Sequence, residues 1–248
     1  SGLGLAVAGA LHSKGWNLAI ADLDSTKGTK LVTDFGPNTI FIKTDVTDYF
    51  SQVLAFKKTV QRFSGLDFVF ANAGIAGRGG FYDVANEWPP KPPSLLLQDV
   101  CLTGVVYSCW LGMHYMRRNA VPGGSIVMTA SAASLYPSPD LPLYCSSKHG
   151  VLGLMRSMSI PLARENIRVS CILPGAIHTS LHPEAVWAQF GKESFTSIDL
   201  IVKTVLELLD DDEAAGKAME VSAGEVFNRK QPEFCNDMMR TIMTDKEY

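Results

Sequence analysis

Short apolar segments alternate with longer amphipathic ones along this chain, and that alternation leaves few ways to fold. Asn17 to Ala21, Thr39 to Lys43, Asp67 to Ala71, Ser125 to Thr129, Arg168 to Leu173 and Lys217 to Val221 read as strands, being short and apolar. Between them Val53, Phe56, Val60 and Phe63 recur at spacings of three and four, and Leu152, Met155, Met158 and Leu162 nearly repeat the pattern, as one face of a helix does. Pro161 is expected to kink the second of these helices. Strands that alternate with helices predict an α/β fold, a doubly wound, mostly parallel sheet covered on both faces.

No internal repeat, linker or break in composition divides the 248 residues. Residues 1–228 are read as one sheet domain and 229–248 as a C-terminal helical extension. The extension carries Phe234, Met238, Met239, Ile242 and Met243, whose apolar face is expected to pack on something. The tract from Trp88 to Pro93 reads as a stiff loop entering the next helix, and Asp210 to Glu213 as a solvated helix end and turn.

Composition narrows the function classes. A chain that is 46% hydrophobic and 19% charged is neither disordered nor collagenous, and 22 basic against 25 acidic side chains provide no footprint for nucleic acid. Leu95 to Met116 is interrupted by Gln98, Asp99, Thr103, Ser108 and His114, so it reads as a buried helix, not a membrane span. Five cysteines without a C-x-x-C pair indicate neither a disulfide framework nor a zinc site, and a reducing, cytoplasmic setting is expected. His178, His182 and Glu184 are close in sequence, but Pro183 breaks the helix and no further His or Cys converges; they read as lid residues near a substrate cleft, with no metal expected.

Two constellations carry chemistry. Gly2, Leu3 and Gly4 run into a helix and then a strand ending near Asp22, as a dinucleotide site requires: glycines admit a pyrophosphate to the N–H groups of a helix N-terminus, and a carboxylate accepts from the ribose hydroxyls. Tyr144 and Lys148 stand four apart on one helix face, with Ser131 upstream after a strand. There an ammonium near the phenol is expected to lower its pKa by ~1–3 units from about 10, toward values useful for proton exchange with an alcohol.

Together these residues resemble the short-chain dehydrogenase/reductase family, from Gly2 to about Glu225. Asp45-Val46 looks like the family's adenine contact, Asn72-Ala73-Gly74 like its Asn-Ala-Gly turn, and Gly216 to Val221 like its final strand. Pro174-Gly175, Ile177 and Thr179 look like the segment that meets the nicotinamide amide. The resemblance implies a Rossmann-type fold that binds NAD. It makes Tyr144 the general acid/base, Lys148 the ribose contact, and Ser131 the hydrogen-bond partner of the substrate oxygen. The implied reaction is hydride transfer between the cofactor and a hydrophobic secondary alcohol or its ketone, by a homodimer or homotetramer with the helices after Ser94 and Tyr144 at subunit contacts. The Pro-rich tract and Asp99 to Gly104 resemble the branch containing 15-hydroxyprostaglandin dehydrogenase and fungal polyketide alcohol dehydrogenases.

Two departures set further expectations. The family's first strand and the start of its glycine loop belong ahead of Gly2, so some ten to fifteen residues are expected upstream. Cys101 stands where the family usually has Asn, and a thiol is expected to fall short of an amide's two hydrogen bonds. Both departures leave a rival reading open, a non-catalytic relative serving as a nucleotide-binding or assembly scaffold.

Overall fold

The computed structural model describes residues 1–77, 80–179, 181 and 184–244. The chain runs through α1 (Gly2–Ser13), β1 (Leu18–Asp22), α2 (Ser25–Phe35), β2 (Thr39–Lys43), α3 (Tyr49–Phe63) and β3 (Phe68–Ala71). After a long loop come α4 (Leu96–Gln98), a π-helical turn (Asp99–Thr103) and α5 (Gly104–Met116), continuous as one helical run. Then follow β4 (Gly124–Thr129), a 3₁₀ turn (Ala132–Ser134), α6 (Pro142–Ala163), β5 (Ile167–Pro174) and α7 (Glu184–Trp187). The chain closes with α8 (Ile198–Asp210), β6 (Ala218–Ser222), β7 (Glu225–Asn228) and α9 (Asp237–Thr244).

Local chemistry starts and stops these elements. The Asp24 carboxylate accepts from the N–H of Lys27 to open α2, Asp48 from Phe50 to open α3, and the Ser197 hydroxyl from Leu200 to open α8. Pro142 occupies the first turn of α6, where its missing N–H has no partner to lose. Gly36, at φ 81°, ends α2 in a conformation that a side chain would oppose. Pro161 lies in the final turn of α6, and the helix runs on through it to Ala163.

Strands β3, β4, β5 and β6 pair in parallel in that order, and β7 closes the edge antiparallel to β6. Side chains alternate across this sheet. Ile126, Met128, Val169, Cys171 and Leu173 enter one core with Val151 and Met155 of α6 and Cys109 of α5. Val127, Ile172 and Val221 enter another with Val7 and Leu11 of α1 and Ile201 and Val205 of α8. The helical run Leu96–Met116 is long and apolar enough to cross a bilayer, yet Cys101, Val105, Cys109, Leu111 and Met116 are buried in the domain, where α5 packs on β3 and β4.

Three features of the structure bear on these expectations. First, among the described residues β1 pairs only with β2, in parallel, and β3 only with β4, a gap consistent with the first strand expected ahead of Gly2. A slot of about 400 Å³ lined by residues 17–22 and 65–73 lies between them. The strands along it are poorly covered, with Phe68, Val69 and Phe70 half-buried while Ile126 to Met128 in β4 are fully buried. Second, a seventh strand, β7, joins β6 through Ala223 (φ 46°) and Gly224 (φ 88°), a two-residue turn with both central residues left-handed. Third, the C-terminal helix is described over Asp237–Thr244, and on this single chain Met238, Met239, Ile242 and Met243 are exposed. The acidic run at the end of α8 is also less free than expected. Asp210 pairs with Lys14, Asp211 with Lys217 and Asp212 with Arg168.

Candidate active site

The N-terminus of α1 has the character expected of an anion seat. Ser1 makes no side-chain cap there and no acidic residue occupies the first turn, so these residues leave the positive end of the helix uncompensated. Gly4 lies so close to Asn72 that a Cβ would stand 3.1 Å from its Nδ2, and a Cβ on Gly2 would approach Thr179 Cγ2 at 3.8 Å. Leu3 contributes backbone only, since its side chain is buried in the core with Val7 and Leu11. Gly4, Asp22, Val46, Asn72 and Ala73 line one cleft, continuous with the slot.

The carboxylates of this cleft are held by their own loops. Asp22 Oδ1 accepts from the N–H of Asp24 at 2.9 Å. Asp45 Oδ1 accepts from both the N–H and the hydroxyl of Thr47, at 2.9 and 2.7 Å, and these bonds hold its carboxyl below the usual carboxylate range. Val46 is fixed through its carbonyl, which accepts from Gln52 Nε2 at 2.8 Å; the same amide reaches Gly104 O at 2.9 Å. On the far side, the N–H of Gly175 bonds to Val221 O at 2.9 Å, and Pro174 pairs with Val221 in the sheet. Ile177 packs against the α1/α8 core, and Thr179 O accepts from Trp187 Nε1 at 2.7 Å. The Thr179 side chain thus faces Gly2. Uncapped helix, close-set glycines and paired carboxylates fit a dinucleotide.

Ser131, Tyr144 and Lys148 come together at the carboxyl end of β4. Ser131 opens the 3₁₀ turn: its hydroxyl accepts from Ala133 N–H at 3.1 Å, and its own N–H donates to Ser134 Oγ at 3.2 Å. Ser134 Oγ then donates to Lys148 O at 2.7 Å, tying the serine turn to α6. The buried ammonium of Lys148 donates to Thr129 O at 2.7 Å, while Thr129 Oγ1 donates to Asn72 Oδ1 at 2.9 Å. Ser134 and Thr129 were not singled out in the sequence. Their role is visible only once β4, α6 and the 72–75 turn meet.

The electrostatics differ from expectation. Burial pushes the Tyr144 phenol up to about 12, and a hydrogen bond with Ser131 offsets only part of that. Lys148 does not lower it in this arrangement. Its ammonium sits 5.7 Å from the centre of the Tyr144 ring, bonded to a carbonyl, and burial lowers its own pKa. Desolvation therefore dominates at both groups.

Cys101 also corrects an expectation. Its thiol, fully buried in the π-helical turn, accepts from Ile75 N–H at 3.3 Å and donates to Ile75 O at 3.2 Å. A single sulfur thus bridges both polar atoms of one residue, though with weak bonds. A Cβ on Gly74 would lie 3.7 Å from this sulfur and 3.8 Å from Lys148 Nζ, so thiol, glycine turn and ammonium form one cluster. His178 pairs with Glu184 at 3.1 Å, and His182 and Pro183 lie outside the described residues.

Comparison with known proteins agrees with this geometry. A family model described as short chain dehydrogenase matches residues 1–189. The chain is 37% identical to the short-chain dehydrogenase/reductase prx7 of Penicillium rubens, over 97% of this chain and 95% of that one. It is 30% identical to the human 15-hydroxyprostaglandin dehydrogenase (NAD(+)), over 89% of this chain and 87% of that one. A crystal structure of a short-chain type dehydrogenase/reductase from Mycobacterium marinum superposes with a TM-score of 0.79 at 24% identity, covering 90% and 91% of the two chains, which supports the fold.

Proposed function

Since this chain belongs to the short-chain dehydrogenase family, we propose that it is an NAD-dependent oxidoreductase that interconverts a hydrophobic secondary alcohol and its ketone. The observation that carries this reading is the convergence of Ser131, Tyr144 and Lys148 beside the glycine-lined cleft. When bound, the nicotinamide ring supplies the hydride acceptor or donor. The chain's own residues manage the proton and the geometry. Tyr144 takes the proton from the alcohol oxygen during oxidation and returns it during reduction. Ser131 donates to that oxygen and holds it against the phenol. Lys148, anchored on Thr129 O beside Asn72 and Gly74, would hold the ribose.

Asp22 supports NAD over NADP, because a carboxylate repels the 2′-phosphate that distinguishes them. The nearest lysine on α2, Lys27, is already paired with Asp24 at 3.0 Å. The name of the human relative points the same way. Free cysteines throughout suit a reducing, cytoplasmic setting. Exposed Val106 and Trp110 on α5 and Ile160 on α6 suit a homodimer or homotetramer.

The test is direct. The protein is mixed with NAD or NADP and a panel of secondary alcohols, and formation of reduced nicotinamide is followed by absorbance. Turnover is expected with NAD, at least about tenfold above NADP. Equal use of the two cofactors would overturn the assignment to NAD, and no turnover on any alcohol or in reverse on any ketone would overturn the reading as a whole.

A further inference from the structure

A buried carboxylate lies outside the machinery described so far. Glu220 stands in the middle of β6 with its side chain only 6% exposed. A carboxylate so placed needs charged and hydrogen-bonded partners. It has two: Arg229 just beyond β7, whose Nε donates to Oε2, and Tyr136, from a distant part of the chain, whose hydroxyl donates to the same oxygen at 3.2 Å. The Arg229 guanidinium also donates to Tyr136 Oη at 3.1 Å, closing a triangle in which each group meets the other two.

Arg229 is itself held firmly. Its N–H donates to Ala218 O at 2.8 Å, its guanidinium lies 5.1 Å from the centre of the Phe227 ring, and Arg156 of α6 donates to the next carbonyl, Lys230 O. The network is therefore anchored on the β6–β7 hairpin. The same hairpin holds the far end of the segment after β5, since Thr196 Oγ1 donates to Val221 O at 3.3 Å and accepts from Ala223 N–H at 3.2 Å.

Tyr136 is the other end. It closes the short turn that begins at Ser131, where the N–H groups of Leu135 and Tyr136 both donate to Ala132 O. That turn has two tethers. Ser134 ties it to α6 through Lys148 O, and Tyr136 ties it to β6, two strands away from β4 and so roughly 10 Å across the sheet. Leu135 packs on the core between them, so the Tyr136 tether fixes the end of the turn that neither Leu135 nor Ser134 holds.

The geometry points to Tyr136, Glu220 and Arg229 as positioning residues that aim the Ser131 hydroxyl. This rests on the role proposed above for Ser131. It links the C-terminal segment to the substrate oxygen without contact between them.

Tyr136→Phe keeps the ring and leaves the Glu220–Arg229 pair intact while removing the tether. The full chain is measured in two ways, by hydrogen exchange of the backbone amides at positions 135 and 136 and by steady-state kinetics with NAD and the best alcohol of the panel. The variant is expected to exchange faster at these amides and to lose about tenfold in kcat, with cofactor Kd unchanged. Arg229→Lys, which keeps the charge but not the planar fork, should lie between wild type and Tyr136→Phe, and it carries the same measurements if that variant does not fold. Unchanged exchange overturns the tether. Faster exchange with unchanged kcat leaves a structural contact only and overturns the positioning role. If the wild type turns over nothing, it is the proposed function that fails, and exchange alone still decides the tether.

Discussion

A tyrosine whose phenol is pushed up to about 12 keeps its proton at neutral pH, and among the described residues the Ser131 hydroxyl opposes the burial that puts it there. The phenol serves best as a donor, in the direction of ketone reduction, until positive charge arrives beside it. Tyr144→Phe should cost ~10²–10⁴-fold in kcat with cofactor affinity unchanged, checked by parallel kinetic and binding titrations; retention of a tenth of wild-type turnover would remove Tyr144 from its role. Cys101 is the second decisive residue. The sequence alone suggests a thiol that falls short of an amide's two hydrogen bonds, and the structure gives it two weak ones, as a sulfur clip on Ile75. Cys101→Ala should therefore lower stability by about 1–2 kcal/mol and depress kcat. Cys101→Asn, which can make the same two bonds, should behave like wild type and not better. Denaturant titration and turnover of both variants check this, and an alanine variant indistinguishable from wild type would leave the clip without function.

Among the elements, the edges of β1 and β3 are the weak point. Each faces the slot with backbone groups that no described strand pairs. Such edges leave N–H and C=O groups unpaired and apolar side chains half-covered. We expect a form carrying ten to fifteen additional residues ahead of Ser1, an apolar strand of about five followed by a tight glycine turn, to melt at least roughly 2–4 °C higher, equivalent to ~1 kcal/mol or more. Calorimetry of the two forms decides it, and equal melting temperatures would mean that the slot takes no strand. The bounds of the six strands read from the sequence were legible within a residue. Thr39 to Lys43 is a strand as read, and Ser125 to Thr129 gains only Gly124. β7 was missed because Glu225 to Asn228 is short and mostly exposed, although Ala223-Gly224 ahead of it was a usable turn signal.

For the molecule as a whole, the buried thiols set the alkaline limit. Burial pushes Cys109 and Cys171 each up to about 12, against about 9 when exposed. Between those values the folded thiols keep protons that the unfolded chain releases, so stability is intact below pH 9 and falls as pH rises above it. The expected slope is at most about 1.4 kcal/mol per pH unit for each thiol. Urea titrations from pH 8 to 11 should show this loss and Cys109→Ala should reduce its slope, whereas a flat profile would contradict it. What the sequence determined by itself was whatever depends on near neighbours along the chain: the alternation of strand and helix, the glycines before α1, and the four-residue spacing that puts Tyr144 and Lys148 on one helix face. Only the tertiary structure decided the antiparallel edge strand β7, the sulfur clip between Cys101 and Ile75, the triangle of Tyr136, Glu220 and Arg229, and the direction of the Tyr144 shift. Desolvation and hydrogen bonding sum over every group that packing brings near, and those groups come from segments tens of residues apart, at distances that no local spacing encodes.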